Sequence, residues 1–278
     1  MKTQVLLVEC ADRPGLVHAI TGVLFQAGVN IVGNHEFVDG DLARFFMRTE
    51  FDGDLDGASL VANLEKLLPA DALVRVHRPE RRRLVVFASV EHHCLADLLV
   101  RHAYQEINAD ILAVVSNHDT LRPLAEKFGV PFHRVSHEGK SRAEHEAEIL
   151  ALLESLQPEF LVLAKYMRIL GPGFVARWQR RILNIHHSFL PAFAGARPYH
   201  QAFQRGVKVI GATAHFVTDQ LDEGPIVVQQ VISVDHTHAP QDLAQAGRDV
   251  EQAVLARALQ LVLEDRVFLC GNRAIIFD

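Results

Sequence analysis

Asn184 and His186 are separated by one residue at the end of an apolar run, Arg181-Ile182-Leu183, and His187 follows directly. A second apolar run, residues 207–217, leads into Asp219, Asp222 and Glu223. Polar groups placed just past buried strands are where α/β proteins put their chemistry. Side chains alternate along a strand, so Asn184 and His186 share one side while Ile185 packs away. A neutral amide donor beside an imidazole suits hydrogen bonding to the oxygen of a tetrahedral intermediate. Loss of one such donor typically costs ~10²–10³ in rate. Asp222 sits in the loop 218–225, between two apolar strands. Brought next to His186, its carboxylate would take a proton from water and hand it to a leaving nitrogen. These residue types together describe attack on a polarised carbonyl.

Other chemistries fit less well. Neither H-x₃-H nor HExxH occurs near His186, and neighbouring histidines on a strand face opposite sides, so no catalytic metal is expected. Ser188 lacks a G-x-S-x-G elbow, which argues against a serine hydrolase. The three cysteines, Cys10, Cys94 and Cys270, are odd in number and widely spaced. That fits reduced thiols in a cytosolic protein. The net charge of −6, from 28 Lys and Arg against 34 Asp and Glu, argues against nucleic acid or an anionic membrane as the main partner. Short basic clusters at 75–83 and 177–181 read as solvated loop and helix-end charge. The opening has only a four-residue apolar core before Glu9, too little for a signal peptide, and no run approaches the ~18 residues of a membrane span. A soluble, cytoplasmic protein is the expectation.

Two elements of organisation must position these groups. Apolar residues make up 49% of 278 positions, enough for two domains with sizeable cores. In residues 1–78 a strand over 4–11 is broken by Asp12-Arg13-Pro14-Gly15. Helical spacing then runs from Leu16 to the stop at Gly28. Residues 30–38 and 42–51 read as strands joined around Asp39-Gly40, a hairpin signal. A helix carrying Leu60, Leu64, Leu67 and Leu68, and a strand over 72–77, complete a ferredoxin-like βαββαβ order. In this reading Asp12 caps the first helix and Gly15 permits the tight turn. The charged, proline-bearing stretch 79–83 is a linker.

From residue 84 to 278, strands and helices alternate at short intervals. The expectation is a Rossmann-like, mostly parallel sheet with helices on both faces. The turn after its first strand, Ala88-Ser89-Val90-Glu91-His92-His93-Cys94, has no glycine and carries a carboxylate. A phosphate cradle needs free backbone donors and tolerates no such charge, so NAD or nucleotide binding is excluded there. His92 and His93 are left either to line a cleft or to cap the next helix.

Residues 12–16, with Asn30-Ile31 opening the second strand, resemble an ACT domain. That family commonly binds an amino-acid effector at this first turn, which marks Asp12, Gly15 and Asn30, and it pairs across subunits. A homo-oligomer, dimer or tetramer, is therefore expected. Asn184-Ile185-His186, Leu190-Pro191, Gly211-Ala212-Thr213-Ala214-His215-Phe216-Val217 and Leu221-Asp222-Glu223-Gly224-Pro225 resemble the formyltransferase fold of folate enzymes. Its catalytic Asn, His and Asp fall on Asn184, His186 and Asp222. Leu163-Ala164-Lys165-Tyr166-Met167-Arg168-Ile169-Leu170 resembles its folate segment, which makes Tyr166, Met167, Arg168, Ile169 and Leu170 expected folate-binding residues. Thr213 and His215 are expected to hold Asp222 or its water.

Within the fold, the preceding ACT-like region, His186-His187-Ser188-Phe189-Leu190-Pro191, Pro198-Tyr199-His200-Gln201 and the tail around 246–251 and 271–273 resemble the formyltetrahydrofolate deformylases. The resemblance implies hydrolysis of 10-formyltetrahydrofolate to formate and tetrahydrofolate, with the folate as substrate and no cofactor, supplying formate for purine biosynthesis and balancing one-carbon pools. The related glycinamide ribonucleotide transformylases carry a Gly-Ser-Asn phosphate loop where this chain has Val90-Glu91-His92-His93, so water is the expected acceptor. Two rivals remain at this level: formyl transfer to a phosphorylated amine, and a catalytically silent amino-acid sensor.

Overall fold

The computed structural model describes residues 3–191 and 198–278, with Pro198 defined by its backbone alone. The chain forms two compact units, one built from residues 1–80, 264–268 and 276–278, the other from 81–263 and 269–275.

In the first unit, strands β1 (Thr3–Ala11), β2 (Asn30–Asp39), β3 (Arg44–Asp52) and β4 (Leu73–His77) form an antiparallel sheet in the order β2-β3-β1-β4. Helices α1 (Leu16–Gln26) and α2 (Gly57–Glu65) cover one face, where Leu6, Val8, Ile20, Leu24, Met47 and Leu64 make the core. On the other face Phe46 meets Phe268 edge-on at 5.6 Å, and Arg48 donates to the carbonyls of Glu264 and Asp265. The strand after the hairpin begins at Arg44, two residues later than the apolar pattern places it. The Asp39 carboxylate accepts from the amides of Asp41 and Leu42, and this Asx-type turn consumes those residues.

Asp12 does not cap α1. The N-cap is Gly15, at φ 88, with no side-chain cap bond, so the chain enters the helix through a left-handed residue. The capping carboxylate of this unit is Asp56, which accepts from Ser59 at the start of α2.

The second unit alternates β5 (Arg82–Ala88), α3 (His93–Ala103), β6 (Ala109–Ser116), α4 (Arg122–Lys127), β7 (Phe132–Arg134), α5 (Arg142–Leu156), β8 (Phe160–Leu163), α6 (Pro172–Arg177) and β9 (Ile182–His186). It continues through α7 (Pro198–Arg205), β10 (Val209–Phe216), β11 (Ile226–Ser233) and α8 (Pro240–Leu263), before a short hairpin, β12 (Val267–Cys270) and β13 (Arg273–Ile276). The sheet order is β11-β10-β9-β8-β5-β6-β7. Its members from β9 to β7 are parallel, and β10 runs antiparallel to both β9 and β11. Ile149 and Leu153 of α5 pack on one face against Val85, Phe87, Leu161 and Leu163. Helices α3 and α8 pack against each other, and α8 lies on β9, β10 and β11. The chain leaves β5 toward β6 and β7, then returns to lay β8 on β5's other side. This is a topological switch, and open α/β sheets hold their ligands at the carboxyl ends of such strands.

Candidate active site

The carboxyl ends of β5, β8 and β9 meet here. Ser89, just past β5, donates from Oγ to Asn117 Oδ1 at 2.8 Å and accepts from the Met167 amide at 3.0 Å. A buried hydroxyl thus closes the turn where a phosphate-binding chain would place glycines. The segment past β8 is tied back by it, and a cleft of about 300 Å³ opens between residues 166–170, the end of β9 and the loop 217–222.

Asn184 and His186 end β9, and both face this cleft. The antiparallel register sets His215 of β10 opposite Asn184 and Thr213 opposite His186. His215 Nδ1 lies 2.9 Å from the Phe216 carbonyl, which can only accept, so Nδ1 carries the proton and Nε2 accepts. Asn184 Nδ2 is 3.1 Å from that Nε2, and the amide is thereby oriented with Nδ2 as the donor. Burial pushes His215 below the usual histidine range, which keeps it neutral.

Asp222 lies in the loop after β10, with Oδ1 3.3 Å from His186 Nδ1 and 3.9 Å from His215 Nε2. The His186 bond holds its carboxyl below the ordinary value against the opposing effect of burial. The charge is therefore a stable feature of the site. Asp222 has φ 58, a left-handed conformation that is uncommon outside glycine and that clusters at functional positions. Gly224 makes this loop possible, since a Cβ there would stand 1.7 Å from the Phe216 carbonyl oxygen. His186 Nε2 is buried and has no hydrogen-bond partner among the described residues. Nδ1 faces Asp222, so Nε2 is the end of the ring available to a reacting oxygen. His187 stacks on His186 with centroids 5.1 Å apart. Burial, and then the Lys165 charge, push it down to about 4.

The expected folate residues take different positions. Met167 and Ile169 are 57% and 55% exposed, and with Leu221 at 62% they leave apolar side chains open around the cleft. A flat aromatic ligand suits such a wall. Arg168 and Leu170 are partly buried and line the same cleft. Tyr166 lines it too, but its ring belongs to the core, edge-on to Phe87 at 5.3 Å.

Thr213 is placed differently from the sequence expectation. Its hydroxyl donates to the Ser188 carbonyl at 2.8 Å and accepts from the Leu190 amide and Gln229 Nε2. It pins the turn after β9, and no bond joins it to Asp222 among the described residues. The segment 192–197, which follows that turn, lies outside the described residues. His92 holds the N-cap position of α3 without a side-chain cap bond, and His93 is buried against Glu251.

One group escaped sequence reasoning altogether. Glu251 of α8 accepts from His93 Nε2 at 2.7 Å and Tyr199 Oη at 2.5 Å, and lies 3.2 Å from Lys165 Nζ. Burial opposes its charge, yet these partners hold Glu251 down to about 2. His93, Cys94 and Glu251 come within 4.8 Å of one another and match a metal-ligand set by type. The Glu251 oxygens are already engaged by Lys165, Tyr199 and His93, and burial pushes the Cys94 thiol far above its usual range. Only the residue types favour an ion there.

A doubly layered α/β unit whose Asn, His and Asp converge on an apolar-walled cleft, preceded by a βαββαβ unit, has the form of a formyltransferase-type enzyme with an ACT domain. The Formyl transferase family model matches residues 82–259, and the ACT domain model matches residues 4–69. A formyltetrahydrofolate deformylase of Escherichia coli O6:H1 is 52% identical over 276 residues, covering 99% of each chain. That of Haemophilus influenzae is 47% identical over the same length and coverage. The crystal structure of a formyltetrahydrofolate deformylase from Pseudomonas syringae matches with TM-score 0.95 at 40% identity, covering 100% of this chain and 95% of that one. A glycinamide ribonucleotide transformylase 1 from Symbiobacterium toebii matches with TM-score 0.68 at 31% identity, over 71% of this chain and 95% of that one. The chain belongs to the formyltetrahydrofolate deformylases, hydrolases that act on a formyl C–N bond. No helix among the described residues is long and apolar enough to cross a membrane.

Proposed function

We propose that this chain hydrolyses 10-formyltetrahydrofolate with Asp222 as the base, and with Asn184 and His186 as the donors to the developing oxyanion. The pterin lies against Met167, Ile169 and Leu221, with the backbone and side chains of Arg168 and Leu170 completing its pocket and Tyr166 backing it from the core. Asp222 orients a water molecule and takes its proton as the oxygen bonds to the formyl carbon. The formyl oxygen becomes an oxyanion held by Asn184 Nδ2 and a proton on His186 Nε2. Asp222 then delivers its proton to N10, the C–N10 bond breaks, and formate and tetrahydrofolate leave.

The observation that carries this reading is the left-handed Asp222, 3.3 Å from His186 Nδ1, while His186 Nε2 is buried without a hydrogen-bond partner among the described residues. A residue held in that strained conformation against a histidine is hard to explain as packing. Water is the acceptor because the turn 89–92 offers no phosphate cradle and carries Glu91. Formate production from 10-formyltetrahydrofolate, with and without an added amine, tests the reading. Formate must appear at the same rate in both, and a strict dependence on the amine would make the chain a transferase.

In the cell the reaction would supply formate for purine biosynthesis and free tetrahydrofolate, in the cytoplasm. We further assign the ACT domain a regulatory role, with an amino acid bound near Asp12, Gly15 and Asn30, and self-association into a dimer or tetramer. The left-handed Gly15 turn leaves its surroundings open, and Asn30 is exposed at the start of β2. β2 is an edge strand with Val32, Phe37 and Val38 exposed, and a second copy can pair along such an edge. Titrating each amino acid against formate release tests the effector, and no response to any of them would remove it.

A further inference from the structure

Past β8, the segment that walls the cleft is fastened at its two ends by residues outside it. Ser89 takes the near end. Its amide donates to the Lys165 carbonyl at 3.2 Å, and its hydroxyl accepts from the Met167 amide at 3.0 Å. Lys165, at φ 63, is the left-handed bend that brings the chain back onto Ser89. Glu146 takes the far end, accepting from the Gly171 amide at 2.6 Å. Residues 166–170 are strung between these two points.

The near fastening has a direction. The Met167 amide can only donate, so the Ser89 oxygen accepts there and sends its one proton to Asn117 Oδ1 at 2.8 Å. Ser89 and Asn117 are 2% and 4% exposed, so water does not replace these bonds. With Oδ1 on Ser89, Asn117 turns Nδ2 toward His137 Nδ1, 3.4 Å away in the loop between β7 and α5. Nδ1 must then accept, which fixes His137 as a neutral ring with its proton on Nε2. Three donors thus point one way, from Met167 through Ser89 and Asn117 to His137, and the last and longest link is the weakest.

His137 stands among groups that keep it neutral. Arg168 faces it from the wall segment itself and Glu138 from its own loop. The His118 ring, after β6, is 5.8 Å away between centroids, and the His145 ring of α5 is 6.3 Å away. Burial, then Arg168 and the two histidines, push His137 below the ordinary histidine value, and Glu138 opposes them. A proton on Nδ1 would set a donor against Asn117 Nδ2. Rotating the Asn117 amide to suit it would turn Nδ2 onto Ser89 and send the serine proton in search of another acceptor. A buried backbone amide is satisfied by any oxygen, so folding does not require that Met167 be tied in this way to a titratable ring.

We propose that Asn117 and His137 are positioning residues for the folate wall: they fix the polarity of the Ser89 hydroxyl and, through it, the place of Met167. Neither touches the reacting atoms, so they act on folate binding and leave the chemical step alone. The proposal rests on the reading of residues 167–170 as the folate wall.

The test uses the full chain as Asn117→Leu, His137→Asn and Ile169→Ala. Formate release gives kcat and KM at neutral pH, and fluorescence titration with tetrahydrofolate gives Kd from about pH 8 down to about pH 5. Asn117→Leu is expected to raise KM and Kd about tenfold with kcat within about twofold, the effect of one lost hydrogen bond carried to the wall. In wild type, Kd is expected to rise about 3–10-fold as pH falls below the ordinary histidine value of 6.5, because the neutral ring is the accepting form. His137→Asn places an oxygen that accepts but does not titrate where Nδ1 stood, so its Kd should match wild type at neutral pH and stay flat on the acid side. A merely structural role would not move that profile. A wild-type profile with no acid-side loss, or one that His137→Asn leaves unchanged, overturns the proposal. So does a fall in kcat at constant KM in Asn117→Leu. Should Asn117→Leu fail to fold, the pH profile of His137→Asn decides alone. Ile169→Ala removes an apolar contact from the wall directly and should raise Kd about tenfold. No change there would overturn the folate-wall reading itself, an outcome separate from failure of the Asn117 and His137 variants.

Discussion

Asp222→Asn separates the charge of the proposed base from its shape. Asparagine tolerates φ 58 better than most residues, so the loop keeps its course and the cleft keeps its wall. What is lost is the proton acceptor, together with the charge that lies 3.3 Å from His186 Nδ1. General-base catalysis contributes ~10²–10⁴ in rate. With the weaker hold on His186 added, kcat should fall by at least ~10³, about 4 kcal/mol in the barrier. The affinity for a folate analogue, measured by fluorescence titration, should stay within about threefold, because no apolar contact is removed. Asp222→Ala should lose the same activity and additionally about 1–2 kcal/mol of stability, since alanine lacks asparagine's tolerance of the left-handed region. In wild type the carboxyl titrates below its ordinary value of 3.8, so the base remains ionised across the neutral range and turnover on its account falls only as pH drops below that value. Formate release by Asp222→Asn within about tenfold of wild type would refute the assignment and the reasoning behind it.

Three further outcomes can be checked. Asn184→Ala should lower kcat by ~10²–10³ with little change in KM, because in the proposed mechanism the lost donor acts on the oxyanion, and steady-state kinetics will show it. Thr213→Val should cost about 1–3 kcal/mol, measured by chemical denaturation, since it strips the partners from a fully buried cross-strand bond to Ser188, Leu190 and Gln229. Glu251 is held at about 2 against its usual 4.5, so its stabilising contribution is complete above 4.5 and is lost as pH falls toward 2. Glu251→Gln should therefore lower Tm most at neutral pH, and a constant difference between variant and wild type down to the acid limit would contradict this.

Asn184 and His186 were legible because a strand end imposes alternation, and two polar residues one apart on an apolar run have few other uses. Asp222 was legible by its place in a loop between strands, yet the left-handed backbone that aims it belongs to the Gly224 closure and leaves no compositional mark. The role of Asp12 was misread because a cap-forming residue type preceded a helix that is in fact entered through a left-handed glycine. Thr213 was misplaced by one layer: register sets it opposite His186, but its hydroxyl turns toward the Ser188–Leu190 turn. The Lys165–Glu251 group was invisible for a plainer reason. Its members come from the segment after β8 and from α3, α7 and α8, and only the crossover that returns β8 beside β5 brings them together. Sequence spacing reports neighbours on one element and says little about side chains joined by a sheet order.

The loop 217–225 serves as both a wall and a lever. Leu221 presents an apolar surface to the cleft, and Asp222 follows it directly, with the far end of the loop clamped by the Phe216 amide on the Pro225 carbonyl at 2.9 Å. Pressure from a ligand on Leu221 is therefore transmitted across a single peptide unit to the carboxylate beside His186. On the proposed reading, tightness of folate binding and aim of the proposed base are mechanically one variable. Selection for a different folate chain length or ring substituent would act on turnover at the same time.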